Sequence, residues 1–282
     1  MLDMNELLLQ SIETLPPLPQ TVNELQRYLN SAGADMEINK VAEIISADPL
    51  VTAKLLQLAN SPFYGFSREI ATIQQVINLL GVSNIRNIIT ADAVKNTLRV
   101  SMSPYNLDTN EFLTNCHEEA KFISSWLLDE DKNLSYLLVP CAMLLRFGMM
   151  VFSNFLIQNH KDKEFLAALK QNKFENLNSI EENFLGVDHI SFLGFLFYRW
   201  NFDELLTESI CFASTPHSAE ESVKKSAYAL AIANNVFAPY SGGSKVNTAL
   251  SLIKEAKEQG VNFDIDNFKS KLPEFAKKQL RD

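Results

Sequence analysis

The chain has 282 residues, 46% of them hydrophobic and 21% charged, with a mean hydropathy of −0.05. That balance suits a globular protein with a sizeable core and excludes disordered, collagenous and low-complexity classes. Lys and Arg number 25 against 34 Asp and Glu, a net charge of −9; this argues against a basic nucleic-acid clamp, because phosphate binding draws on Lys and Arg.

The opening Met1-Leu2-Asp3-Met4-Asn5-Glu6 carries acids where a secretory signal places lysines, so a cytoplasmic location is expected. Strand alternation and hairpin turns are missing, and helix signals run the length of the chain. After the stiff entry Leu15-Pro16-Pro17-Leu18-Pro19, residues 20–30 place Val22, Leu25 and Leu29 on one stripe, and residues 38–46 do the same with Ile38, Val41 and Ile45. Asp48-Pro49 opens a third helix, since Asp caps free amides and Pro at the first position loses no hydrogen bond. Thr72 caps a helix burying Ile73, Val76, Ile77 and Leu80, Gly81 ends it, and Ser83 is expected to cap the next, with Ile85, Ile88, Ile89 and Val94 facing in.

Residues 101–108 read as a looser linker and a plausible seam. A helix follows with Phe112, Cys116, Ala120, Ile123 and Leu127 at steps of three or four. Residues 136–158 form a long helical region, one helix or two; its apolar centre, Leu137 to Phe152, is cut by Pro140 and Arg146 and is too short to span a bilayer. Helices are expected near 164–171, 179–185, 190–200, 203–212, 219–237 and 247–259, with an amphipathic surface helix within 267–282 that is interrupted or started at Pro273. Three dispersed cysteines, Cys116, Cys141 and Cys211, read as buried and reduced. The expectation is an all-α protein.

Enzyme signatures fail on inspection. None of the nine glycines begins Gly-x-Gly or precedes a lysine, which excludes the dinucleotide turn and the P-loop. Cys116 and His117 are adjacent on a helix, so their side chains diverge by about 100° and cannot pair. The four histidines, His117, His160, His189 and His217, never stand three or four residues apart, so no local metal site is signalled.

Several ordered pieces carry a resemblance: Leu15-Pro16-Pro17-Leu18-Pro19, Ala47-Asp48-Pro49-Leu50, Thr52-Ala53-Lys54-Leu55-Leu56, Leu58-Ala59-Asn60-Ser61, Phe63-Tyr64-Gly65 and Leu79-Leu80-Gly81-Val82. It continues through Leu144-Leu145-Arg146-Phe147-Gly148, Leu185-Gly186-Val187-Asp188-His189 and Arg199-Trp200-Asn201-Phe202 to about residue 216. On these the chain resembles the HDOD family, a bacterial output domain related to HD-type metal-dependent phosphohydrolases. The resemblance implies an N-terminal helical bundle (1–100), an HD-hydrolase-like helical core (109–216) and a helical C-terminal extension (217–282), together one compact unit. In the enzymes a His-Asp pair and further His and Asp residues hold the divalent metal that activates water. Here the pair position reads Leu145-Arg146, the region of the first histidine Asn115-Cys116-His117, and the later His-His Ala213-Ser214-Thr215-Pro216. Leucine cannot ligate a metal and a guanidinium repels one, so no catalytic residue, metal or cofactor is expected.

Arg146 has two readings: an anion or partner carboxylate gripped in a vestigial pocket, or an internal salt bridge, which is the plainer one. His117 is a relic ligand or, more simply, an edge residue bonding a backbone carbonyl. The Asn60-Ser61-Pro62-Phe63-Tyr64-Gly65 turn offers a partner surface if Tyr64 and Phe66 are exposed, or serves backbone geometry alone. Lys54, Arg68 and Arg86 can gather nearby. Asp188 is expected to cap the following helix, with His189 structural. Asn60, Ser61, Tyr64, Arg86, His117 and Arg146 are thus the candidate ligand or partner contacts. The expected function is a non-catalytic bacterial signal-transduction or regulatory protein. It would act on an unknown protein partner supplied in trans or through an anionic small-molecule ligand, without nucleic acid or membrane. A divergent nucleotide phosphohydrolase and a receptor for an anionic second messenger are the alternatives.

Overall fold

The computed structural model describes residues 20–61, 64, 66, 68–95, 101–200, 202–238 and 244–280. Among them are sixteen α-helices and no β-strand, so the chain is all-α. The stiff entry at residues 15–19, Pro62, Phe63, Gly65 and the Gly-rich loop at 241–243 lie outside the described residues, as does the side chain of Val94.

Five helices come first: α1 (Gln20–Ala32), α2 (Ile38–Ser46), α3 (Pro49–Ala59), α4 (Ile73–Leu80) and α5 (Val82–Lys95). Asp48 opens α3, accepting from the Val51 amide at 3.2 Å, and it also accepts from the Thr21 hydroxyl of α1 at 2.8 Å. Thr72 opens α4 with a full capping box in which Gln75 bonds back to the Thr72 amide. Gly81 ends α4 at φ +79°, a backbone angle that costs glycine little and other residues more. Two expectations change here. Ser83 caps nothing, because α5 begins one residue earlier at Val82, directly after Gly81. Ile38 is 42% exposed rather than part of the buried stripe of α2, because it sits in the first turn, before Val41 and Ile45 reach the core. The inward faces of α1–α5 form one apolar cluster, which Tyr136 joins from further along the chain.

Residues 101–108 are no loose linker. Ser103–Tyr105 is a 3-10 turn, and Met102 and Tyr105 are wholly buried in a second, larger cluster. Then come α6 (Thr109–Glu130), α7 (Lys132–Leu144) and α8 (Phe147–Gln158). Asp131 both ends α6 and caps α7, accepting from the Leu134 amide at 3.0 Å, so α6 and α7 pack as a tight pair. The long helical region is two helices broken at Leu145-Arg146. Arg146 therefore sits at a helix junction, not inside an apolar helix, with φ −101° and ψ 9°.

Around this pair lie α9 (Asp162–Gln171), α10 (Leu177–Leu185), α11 (His189–Arg199) and α12 (Glu204–Cys211). The C-terminal part adds α13 (Glu221–Val236), α14 (Val246–Glu258), α15 (Ile265–Lys271) and α16 (Glu274–Lys278), with the break at Pro273. Ala256, Phe263, Phe268 and Leu272 of this part belong to the same cluster as Trp126 and Leu127 of α6. Cys116 and Cys141 are buried as expected, but Cys211 is exposed at the end of α12. No helix among the described residues is long and apolar enough to cross a membrane.

Candidate functional site

The second cluster encloses a set of polar groups at the position where the Leu145-Arg146 pair was singled out. The Arg146 guanidinium, delivered by the α7–α8 junction, forks onto Glu119 of α6: Nε donates to Oε2 at 2.8 Å and Nη2 to Oε1 at 3.3 Å. Nη2 also donates to the Asn234 carbonyl of α13 at 3.3 Å. Both side chains of the pair are fully buried. Burial pushes the Glu119 carboxyl above the ordinary carboxylate range, while the charge and hydrogen bonds of Arg146, and the charge of His189, pull it down.

His189 starts α11, whose cap is Asp188, accepting from the Ile190 and Ser191 amides at 2.9 and 3.1 Å. Glu181 of α10 accepts from both the His189 amide, at 2.9 Å, and its Nδ1, at 2.7 Å. Its other oxygen accepts from the Tyr105 hydroxyl at 2.8 Å. Two carboxylates thus serve the start of α11, where the helix dipole favours negative charge. Gly148 lets α8 cross this point closely: a Cβ there would lie 2.2 Å from the His189 carbonyl oxygen.

These residues do not fit a divalent metal. Leu145 is buried and apolar, the Arg146 cation is locked onto Glu119, and among the described residues no three His, Cys, Asp or Glu converge as ligands. The carboxylate that Arg146 grips belongs to the chain itself, so the geometry is that of an internal salt bridge.

A second, open feature lies where α3 and α5 face α6, a cleft of about 270 Å³. Leu55, Leu58, Ile88 and Ile89 line its floor, and Lys54, Ser61, Asp92 and His117 its polar rim. Lys54 Nζ stands 2.7 Å from Asp92 Oδ2. His117 is exposed on this side of α6 rather than at the edge of a buried face.

The other sequence candidates are dispersed. Asn60 braces the signature turn, its amide donating to the Leu56 and Ile70 carbonyls at 2.8 Å each and accepting from the Ile70 amide at 2.8 Å. Ser61 bonds the Leu58 carbonyl at 2.6 Å. Tyr64 is wholly buried and Phe66 half-buried, stacked at 6.0 Å and packed on Tyr136, so the turn offers no exposed aromatic pair. Packing won because Tyr136 of α7 supplies an aromatic face that no local pattern signals. Arg86 of α5 reaches Asp203 at 3.4 Å, and Asn87 accepts from the Asp203 amide at 3.1 Å, tying the first cluster to α12. Lys54 and Arg86 line different concavities, so these two basic residues share no patch.

Of the sequence candidates, Asn60, Ser61 and Tyr64 share one turn, and Ser61 meets His117 at the cleft, with Lys54 beside them. The structure adds Glu119, Glu181 and Asp92. The first two carried a signal: Glu119 stands on the buried stripe of α6 between Cys116 and Ile123, and Glu181 midway between Leu177 and Leu185 at steps of four. An acid on a core stripe demands a partner.

A family model described as the HDOD domain matches residues 15–216, well over half of the chain. The chain belongs to the HDOD family. Among solved structures, a virulence factor from Campylobacter jejuni subsp. jejuni is 62% identical, with a TM-score of 0.65 over 99% of this chain and 98% of that one. A protein from Shewanella amazonensis SB2B, provisionally named a phosphohydrolase, is 25% identical with a TM-score of 0.63 over 99% and 95% of the two chains. An HDOD domain protein of unknown function from Geobacter sulfurreducens shares the fold at 19% identity and a TM-score of 0.59, covering 99% and 95%. An uncharacterized protein from Treponema pallidum (strain Nichols) is 24% identical over 219 residues, which cover 74% of this chain. The HDOD chain spans 40% of that relative's length.

Proposed function

We propose that this HDOD protein is a non-catalytic bacterial regulator of signal transduction, working in the cytoplasm by contact with a protein partner or by a ligand-gated change of shape. The buried Arg146–Glu119 pair carries the reading. A metal-dependent phosphohydrolase needs an open position beside its metal for water and substrate. At the matching position this chain supplies an aliphatic side chain and a cation whose guanidinium is already held by a carboxylate. Membership of an output-domain family agrees with a regulatory role.

The test is metal content and hydrolysis. Elemental analysis of the purified protein is expected to find no stoichiometric metal, and a screen of nucleotides with manganese and magnesium to find no phosphate release. Chelator is expected to leave the melting temperature unchanged, since removing a ligand bound only to the folded state lowers it. Phosphate release that stops with chelator and returns with the added ion overturns the reading.

A further inference from the structure

Four ionisable side chains are fully buried where α6, α10, α11 and the α7–α8 junction meet: Glu119, Arg146, Glu181 and His189. They form one set. His189 is close enough for its charge to act on Glu119, and Gly148, two residues past Arg146, brings α8 against the His189 backbone. Glu119 and Glu181 are acids, and Arg146 is the set's only permanent cation. With both acids ionised and His189 neutral, the set carries one surplus negative charge in an apolar interior. One more proton makes it neutral, and burial favours the neutral state because an uncompensated charge away from water is costly.

The described groups around the set do not supply that balance. Asp188 is a further acid, but the first amides of α11 answer it. Tyr105 donates a hydrogen bond to Glu181 and brings no positive charge. Cys141 of α7 feels the charge of Glu119, and burial pushes its thiol up, so it stays neutral. From α13 the set meets the Asn234 carbonyl. The His189 Nε2 is buried without a hydrogen-bond partner, so nothing on that side fixes the imidazole as neutral or charged.

We infer that the folded protein holds one proton in this set that the unfolded chain sheds above neutral pH, and that releasing it opens the corner between α10 and α11. The proton belongs to the set and not to one group, because its members act on one another. Burial of Glu119, which lifts its carboxyl against the pull of Arg146, works in the same direction. Glu181 is the member whose release moves structure. It accepts from the His189 amide and imidazole and from the Tyr105 hydroxyl, so it ties α10 to α11 and to the 3-10 turn. In the unfolded chain glutamate loses its proton at about 4.3 and histidine at about 6.5. Between these values both states carry the proton, and the set adds no slope. Above about 6.5 only the folded state carries it, so stability falls as pH rises. The inference goes beyond the regulatory reading and is independent of it.

The test follows urea unfolding of the full chain from about pH 6.5 to 8, below the midpoints of unfolded thiols and phenols. The unfolding constant is expected to rise about tenfold per pH unit, the signature of one proton. Glu181→Gln keeps an acceptor for His189, turns a donor toward the Tyr105 oxygen and removes the surplus acid. Its slope is expected to be shallower by that same factor. Asp188→Asn, an equally good cap beside the set, is expected to keep the wild-type slope. Amide exchange, corrected for its intrinsic pH dependence, is expected to speed over this range in α10 and α11 but not in α1–α5, and to stay level in Glu181→Gln. Should Glu181→Gln fail to fold, calorimetric unfolding of the wild type in phosphate and in Tris decides instead. The two buffers differ in ionisation heat and so count the protons released, of which about one is expected at pH about 7.5. Equal slopes in wild type and Glu181→Gln, a slope lost with Asp188→Asn, exchange that speeds evenly along the chain, or no proton released overturns the inference. Chelator-sensitive hydrolysis removes the regulatory reading and leaves these slopes untouched.

Discussion

Arg146 and Glu119 are each tolerable in the interior only because of the other. Removing one charge of a buried pair leaves the second desolvated and uncompensated, at about 3–5 kcal/mol, whereas replacing both by apolar groups is often neutral. Arg146→Met is therefore expected to cost about 3–5 kcal/mol in urea unfolding, and Arg146→Met with Glu119→Leu to recover most of it. The single variant also acquires a pH dependence. Without Arg146 its charge and its hydrogen bonds no longer lower the Glu119 carboxyl, only the charge of His189 still does, and burial raises it further from its ordinary 4.5. A carboxyl held above its unfolded value binds its proton more tightly when folded, so its contribution is full below that ordinary value and is lost as pH rises through the folded one. The deficit of Arg146→Met is thus expected to be larger at pH 7.5 than at pH 5, and Glu119→Gln added to it to flatten the slope; a slope of opposite sign would contradict the burial. Tyr64 is a contrasting case. Burial pushes its phenol up, and its hydroxyl is buried without a hydrogen bond. Tyr64→Phe is expected to leave stability unchanged or slightly higher in thermal melts, because it removes a desolvated hydroxyl and keeps the ring packing on Tyr136.

Three helix starts were readable from a side chain that bonds its own backbone, whereas Asp131 opens α7 four residues before the start expected at 136. Asp48, Thr72 and Asp188 each open the helix expected of them, since a cap is a contact across two or three residues. Ser83 failed as a cap because Gly81, which ends α4, leads straight into α5, leaving no room for a separate cap. What the pattern of one helix cannot give is how closely it crosses another. Gly148 sets that spacing for α8 on α11, and its added Cβ would meet backbone, which cannot swing aside. Gly148→Ala is expected to cost about 3 kcal/mol or more in chemical denaturation. A loss under about 1 kcal/mol would mean that the crossing can open at little cost.

At the scale of the whole molecule, the two larger apolar clusters meet where α5 packs on α7, and polar ties and the Tyr136 ring fasten them further. Arg86 and Asn87 hold the start of α12, Gln26 reaches the Trp200 carbonyl at 2.7 Å, and Tyr136 leaves α7 to join the first cluster. Tyr136→Ala is expected to speed amide exchange in α1–α5 well beyond any change in α13–α16, because the ring it removes is the second cluster's buried contribution to the first. Uniform acceleration throughout would show the two clusters opening as one unit.

Local chemistry, read without coordinates, was enough to establish that the chain is helical and where several helices begin, and it was the family resemblance that singled out Leu145-Arg146 as an aliphatic group and a cation at a metal-dyad position. Each depends on residue identity or on hydrogen bonds and periodicity spanning a few residues. Packing alone decided the rest: which acid answers Arg146, that Tyr64 turns inward, and that Ser61, Lys54 and His117 border one cleft. Arg146 and Glu119 lie 27 residues apart and Tyr64 and Tyr136 72, and no short-range rule of sequence measures the distance between helices that meet only in three dimensions.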